Sequence, residues 1–151
     1  MNVYRVALIG HREISHFSLL EKRLEHTMEA LVRQNEFVEF YIGRNGEFDI
    51  LAASVFTRMR ERLGKERCAM ILVLPYPVAD QPYYEKYYDE VILPLPKDIH
   101  RKAAIEMRNR WMVDHADLLL SWVEHKGGAY TLTQYARKTN QPVWDLTREH
   151  I

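Results

Sequence analysis

Apolar positions in this chain follow two spacings, and the switches between them mark out the elements. Residues 4–9 form a β-type run that stops at Gly10. Leu20, Leu24, Met28, Leu31 and Val32 then recur at helical spacing, with Glu21, Lys22, Glu25 and Arg33 on the opposite face. Ser18 and Glu21 have the spacing of a capping box, which predicts a helix start there. A second β-type run, 37–42, stops at Gly43. It is followed by the helical stripe Phe48, Leu51, Val55, Met59 and Leu63, which Gly64 ends at a C′ position.

Residues 69–74 are continuously apolar, as in a parallel strand covered on both faces. A short strand at 91–93 precedes Pro94 and Pro96. A helix over 101–115, a strand over 118–123, a helix from Gly127-Gly128 through Tyr135 and Lys138, and a strand over 143–146 complete the pattern. Strands alternating with helices imply right-handed crossovers. The expectation is an α/β, Rossmann-like three-layer sandwich with a mostly parallel sheet of five to six strands. Residues 75–89 break the alternation, with Tyr76, Tyr83, Tyr84, Tyr87, Tyr88 and three prolines. The segment is too polar for a core strand and too proline-rich at its start for a long helix. It predicts a surface excursion with tyrosines packed on the domain edge, or alternatively a lid or dimer contact.

Length and charge narrow the function. The 151 residues suit one domain spanning 1–151. Lys+Arg and Asp+Glu are balanced at 21 each, which argues against affinity by blanket neutralisation of nucleic-acid phosphates. A local basic site is compatible with that balance. Cys68 stands alone, so no internal disulfide can form, and a buried, inert thiol in a reducing cytoplasm is expected. The apolar stretch at 68–74 is far below the ~20 residues of a membrane helix, and 6–9 is too short for a signal-peptide core. A cytoplasmic protein with no membrane partner follows as the expectation.

In an open parallel sheet the ligand crevice lies beyond the carboxyl ends of the strands, at the topological switch point. Three clusters follow strands: Gly10-His11-Arg12; the turn from Gly43 through Gly46 to Asp49; and Gly127-Gly128-Ala129-Tyr130-Thr131 at a helix start. Glycines allow a close approach of backbone, and a helix N-terminus offers unpaired N–H groups to phosphate. Arg108-Asn109 lies on the preceding helix. Arg108 shares a face with Met112 and is a candidate bidentate phosphate ligand, while Arg110 points elsewhere. Surface pairing of these arginines with Glu106 or Asp114 is the plainer alternative.

His11 is a candidate for a phosphate or ribose contact, or for capping its own turn. Asp49 is a candidate for a ribose hydrogen bond, or for stabilising a helix start. Trp122 and Trp144 suit core or interface, and Trp111 a cover for the site. The seven histidines (His11, His16, His26, His100, His115, His125, His150) show no paired ligand spacing, so no metal site is expected.

These residues carry a family resemblance. Ile9-Gly10-His11-Arg12, Glu39 to Gly43 with Gly46 and Phe48-Asp49, Ala104-Ile105 with Arg108-Asn109, Trp111-Met112 and Gly127 to Tyr130 resemble the SLOG superfamily. That superfamily joins the Smf/DprA DNA-processing proteins to the LOG-type phosphoribohydrolases, and the likeness is strongest to a small bacterial and phage YpsA-like branch. The resemblance implies a homodimeric Rossmann-like domain with no required cofactor, taking a nucleotide-like ligand at its glycine-rich loops. The phosphate would sit on residues 127–131, gripped by Arg108, with Gly10, His11, Gly43 and Asp49 around the ribose.

Against the LOG pattern, Arg108, Met112, Ala116-Asp117, Gly127, Gly128 and Thr131 match, but Tyr130 replaces a glycine and Gln134 replaces the acid/base glutamate. A neutral amide cannot take that proton-transfer role, so the phosphoribohydrolase reading loses its central group. Glu124 and Glu47 are substitutes that no spacing supports. Against the DprA side, the Gly43–Asp49 turn resembles a loop that contacts single-stranded DNA. Here it carries Arg44 but also Glu47 and Asp49, so DNA binding is the lesser alternative.

Overall fold

The computed structural model describes residues 1–148; residues 149–151, His150 among them, lie outside the described residues. Among the described residues six strands and five helices follow one another, the expected elements in the expected order with one further short helix. They are β1 (Val3–Gly10), α1 (Phe17–Gln34), β2 (Phe37–Ile42), α2 (Glu47–Leu63), β3 (Cys68–Val73), α3 (Gln81–Tyr87), β4 (Glu90–Ile92), α4 (Arg101–Asp114), β5 (Leu118–Trp122), α5 (Gly128–Lys138) and β6 (Val143–Asp145). All pairings are parallel, in the order β4-β3-β2-β1-β5-β6. Chain direction across the sheet therefore reverses between β1 and β5, which is the switch point. The register sets Gly10 beside Trp122. The loops leaving β1, β2 and β5 consequently open on one edge.

The two-residue period of a strand divides the core into two layers. Val6, Leu8, Phe40, Ile42 and Leu120 face α1 and α2, where they meet Leu20, Leu24, Met28, Phe48, Phe56 and Met59. Ala7, Ile9, Tyr41, Ile71 and Val73 face α4 and α5, against Met112, Val113, Leu132 and Ala136. The sequence expectation of a three-layer α/β sandwich holds. The helical stripe Leu20, Leu24, Met28, Leu31, Val32 is buried throughout. Among the described residues no helix is long and apolar enough to cross a membrane.

Two local expectations are corrected. The capping box does not form. Ser18 lies inside the first turn, and the N-cap is His16, in the left-handed region at φ 58° with no side-chain cap bond. Glu124 replaces that local signal from a distance of over a hundred residues. Its carboxylate takes the Ser15 hydroxyl at 2.8 Å and His16 Nδ1 at 2.8 Å, fixing the entry to α1.

The tyrosine segment, secondly, contains a two-turn helix, α3. Pro82 sits in its first turn, where a missing N–H costs nothing. Tyr84 and Tyr88 pack against the core, while Tyr83 and Tyr87 are 62% and 44% exposed. Asp89 closes the segment: it takes the Met70 N–H at 2.7 Å and pairs with Arg60 at 2.6 Å.

Candidate functional site

At the switch point the loops after β1, β2 and β5 enclose a cleft of about 1020 Å³. Its wall on the β1–β2 side is built loop against loop. The Glu47 N–H donates to the Arg12 carbonyl at 2.8 Å, and the Glu47 carboxylate takes the Ile14 N–H at 2.8 Å. Gly10 and Gly46 make this closeness possible. A Cβ on Gly10 would lie 2.3 Å from the Phe48 ring, and one on Gly46 would lie 2.8 Å from the Arg12 Cα. Gly43 is flanked by charge: its absent Cβ would meet Asp49 Oδ2 at 3.1 Å and Arg108 Nη1 at 3.3 Å.

Asp49 and Arg108 are therefore neighbours across Gly43. Asp49 Oδ2 accepts the Asn45 N–H at 3.2 Å. Burial pushes its carboxyl up to about 6, against the opposing pull of Arg108 and the Asn45 and Gly46 amides. Arg108 is buried, with Nη1 donating to the Val73 carbonyl at 2.7 Å and Nε to Asn109 Oδ1 at 2.8 Å. Burial lowers its pKa, with Asp49 and Tyr76 opposing; a guanidinium there still remains charged. Neither Glu106 nor Asp114 takes it. Arg110 points away, as its spacing predicts, and lies over the Tyr135 ring at 5.1 Å.

The β5–α5 wall is different. His11 is buried, its Nε2 accepts the Glu124 N–H at 2.9 Å, and its ring stacks on His125 at 3.8 Å. Burial and then His125 lower its pKa, against Glu124 and Asp145. An Nε2 that accepts a backbone proton requires the neutral ring. Gly127 enters α5 at φ +154°, a conformation side chains rarely take. Around Gly128 an added Cβ would meet nothing within 4 Å. The first amides of α5 thus border open space.

Of the residues singled out from sequence, Gly10, His11, Arg12, Gly43, Gly46, Asp49, Arg108, Asn109, Gly127, Gly128 and Ala129 all line this one cleft. Thr131 does not. It lies on the exposed side of α5, where its hydroxyl returns to the Gly127 carbonyl at 3.0 Å. Trp111 is no cover for the cleft either: it stacks on His115 at 4.1 Å and meets the edge of Tyr41 at 5.4 Å. Trp122 is core, whereas Trp144 is 37% exposed on the outermost strand.

Among the residues that the sequence did not assign to the site, Tyr76 and His125 also line the cleft. For His125 a signal existed, since it lies just past a strand on the ligand edge. Tyr76 was hidden in the proline-rich segment. Among the described residues no group of three or more His, Cys, Asp or Glu side chains stands close enough to hold a metal ion.

The carboxylates divide by environment. Burial works against the ionised form of Glu124, but hydrogen bonds from Trp122, Ser15 and His16 outweigh it and hold the group at about 2. It cannot serve as a proton donor near neutrality. Asp49 can, because an acid with a pKa near 6 exchanges its proton close to the working pH. Gln134 is remote from this chemistry: it lines a separate, smaller groove beside α5.

No protein-family profile and no curated protein matches the chain. Among solved structures the fold matches DNA processing protein A (DprA) from Streptococcus pneumoniae with a TM-score of 0.68 at 16% identity, over 93% of this chain and 49% of that one. DNA processing protein A from Helicobacter pylori, described for its single-stranded DNA binding mode, matches with a TM-score of 0.63 at 18% identity, over 93% and 63%. The structural-genomics target TM1055 follows at 0.60 and 17%, over 93% and 72%. The chain thus spans half to under two thirds of the DprA chains it matches. At these identities the likeness establishes the fold, a Rossmann-like α/β domain.

Proposed function

We propose that the cleft binds a nucleotide or nucleotide-derived ligand, its phosphate on the first amides of α5 and within reach of Arg108. One observation carries this reading: the buried Arg108 and the Gly127–Ala129 turn border the same hollow at the switch point. A helix N-terminus presents donors and positive potential to an anion, and a guanidinium adds two directed hydrogen bonds. Arg12, exposed at the mouth and unpaired among the described residues, adds a second cation. Gly10, His11, Gly43 and Asp49 are then the ribose side of the site, with Gly46 shaping the loop and Asn109 holding Arg108. Thr131 contributes to the turn and not to the ligand.

Isothermal titration with AMP and ADP tests this. Wild-type protein should bind, and Arg108→Lys, which keeps the charge but loses the fork, should weaken binding about tenfold. A panel of nucleotides giving no heat, or an unchanged affinity in the variant, would count against it. The variant's thermal unfolding is recorded alongside to separate lost contact from lost fold.

Two other readings each have a supporting observation. Asp49, with a carboxyl pushed up to about 6 beside Arg108, supports a phosphoribohydrolase-like activity, tested by release of free base from AMP. The likeness to the Helicobacter pylori protein supports single-stranded DNA binding, tested by a gel shift with a steep salt slope. The balanced charge and the fit of a compact hollow favour the small ligand. Residues 1–151 act in this reading as one domain. The exposed Tyr83 and Tyr87 offer a surface for homodimerisation, checked by light scattering. Cys68, buried with its thiol pushed up to about 11, is inert and suits a cytoplasmic protein.

A further inference from the structure

Across α5 from the cleft lies a second groove of about 360 Å³, and His125 borders both hollows. Two carboxylates line it, and both are already engaged. Glu124 takes the Ser15 hydroxyl, His16 Nδ1 and the Trp122 indole N–H, each at 2.8 Å from one of its oxygens. Asp145 Oδ1 takes the Val123 N–H at 3.3 Å, the Thr147 N–H at 3.1 Å and the Thr147 hydroxyl at 2.9 Å. Three cations line the same groove, Lys126, Arg137 and Arg148; Lys126 and Arg137 are exposed and have no side-chain partner among the described residues. Gln134, between them and also exposed, is neutral and can donate from its amide. Three cations against two carboxylates that are already hydrogen-bonded leave a groove with a positive excess and directed donors.

We propose that this groove is a subsite for a second phosphate, so that the ligand is a nucleotide whose two phosphates are separated by a ribose. This rests on the cleft holding the first phosphate, as read above. Lys126 stands just before the turn that opens α5, and Arg137 lies about 14 Å along the helix from Gly128. Side chains on a helix lean toward its N-terminus, so the Arg137 guanidinium reaches back toward Lys126. A phosphate between these two cations is carried past the Gly127 turn, away from the first amides of α5. The adjacent phosphates of a diphosphate would both remain at those amides. Phosphates at the two ends of a ribose fit the arrangement instead, with the sugar on the His11 side of the cleft, beside the stacked His11–His125 pair.

The test is titration of AMP, ADP and adenosine 3′,5′-bisphosphate into wild-type protein and into the Lys126→Ala/Arg137→Ala double variant. Both residues are on the surface, so the fold is retained. Wild-type protein should bind the bisphosphate about tenfold more tightly than AMP or ADP, and the double variant should bring all three within about threefold, with AMP unchanged. Gln134→Glu, which keeps both cations and adds a negative charge, should narrow the same gap.

Equal affinity for AMP and bisphosphate, a gap that survives the double variant, or ADP binding as tightly as the bisphosphate would each overturn the subsite and leave the cleft reading intact. A bisphosphate that needs Lys126 and Arg137 but is indifferent to Arg108→Lys would uphold the groove and overturn the cleft reading. Silence from all three ligands overturns both.

Discussion

The two walls of the cleft carry the same residue type for opposite reasons. On the β1–β2 wall the space a side chain would need is already filled, by the Phe48 ring at Gly10 and by the Arg12 backbone at Gly46. On the β5–α5 wall the space at Gly128 is empty. One wall uses glycine to bring two loops into contact, which makes it closely packed. The other uses glycine to leave amides uncovered, which makes it receptive. A glycine-rich rim is therefore two devices, and only the second is a direct argument for a ligand.

The largest expected effect comes from filling the closed wall. Gly10→Ala puts a methyl inside the van der Waals radius of a fully buried residue, and the atoms it meets include the Phe48 Cβ, which no rotation of the ring moves away. Overpacking of this kind should cost about 3 kcal/mol, well above the small entropic gain from removing a glycine. Urea denaturation checks it, and an unchanged midpoint would mean that the wall is as loose as its counterpart.

A smaller effect, also confined to the closed wall, is a pH dependence set by Asp49. In the unfolded chain its carboxyl ionises near 3.8, whereas the fold holds the proton until about 6. Between those values the folded state binds the extra proton. Its contribution is thus complete below about pH 4 and is lost as pH rises through 6. The two-unit gap corresponds to about 2 kcal/mol after allowance for partial exposure. Denaturation midpoints at pH 4 and pH 8 should show wild-type protein losing that much stability, and Asp49→Asn, which cannot ionise, losing none of it. Parallel pH profiles for the two proteins would remove Asp49 as the cause.

How much of this was legible depended on whether a signal was local. The strand over 37–42 and the stripe from Leu20 to Val32 are written in residues a few positions apart, and the structure places them where their spacing says. The cleft's location was legible too, because strand ends and a switch point follow from element order alone. The start of α1 was not: Ser18 and Glu21 have the right spacing, but Glu124, distant in sequence, takes Ser15 and His16 and moves the cap. Helix α3 was obscured because a proline that interrupts a helix interior suits its first turn, and spacing alone does not say which position Pro82 occupies. Periodicity likewise gave Trp111 a face but not its neighbours, Tyr41 and His115. The distinct duties of Gly10 and Gly128 were invisible for the same reason, since each depends on what lies across space.

The smallest effect on stability is expected at the open wall, and there it should separate from function. Gly128→Ala adds a methyl that touches nothing within 4 Å, at the first residue of α5. Alanine is the better helix former, so the variant should be as stable as wild-type protein or more so, by under about 1 kcal/mol. The same methyl projects beside the amides on which an anion would rest, and AMP affinity should fall even though the fold does not. Titration and urea denaturation on one preparation read both quantities. Loss of stability comparable to that of Gly10→Ala would show that the second wall is packed like the first. Unchanged affinity with unchanged stability would mean that the open space at α5 is not where the ligand's anionic group sits, leaving Arg108 and the β1–β2 loops to hold it alone.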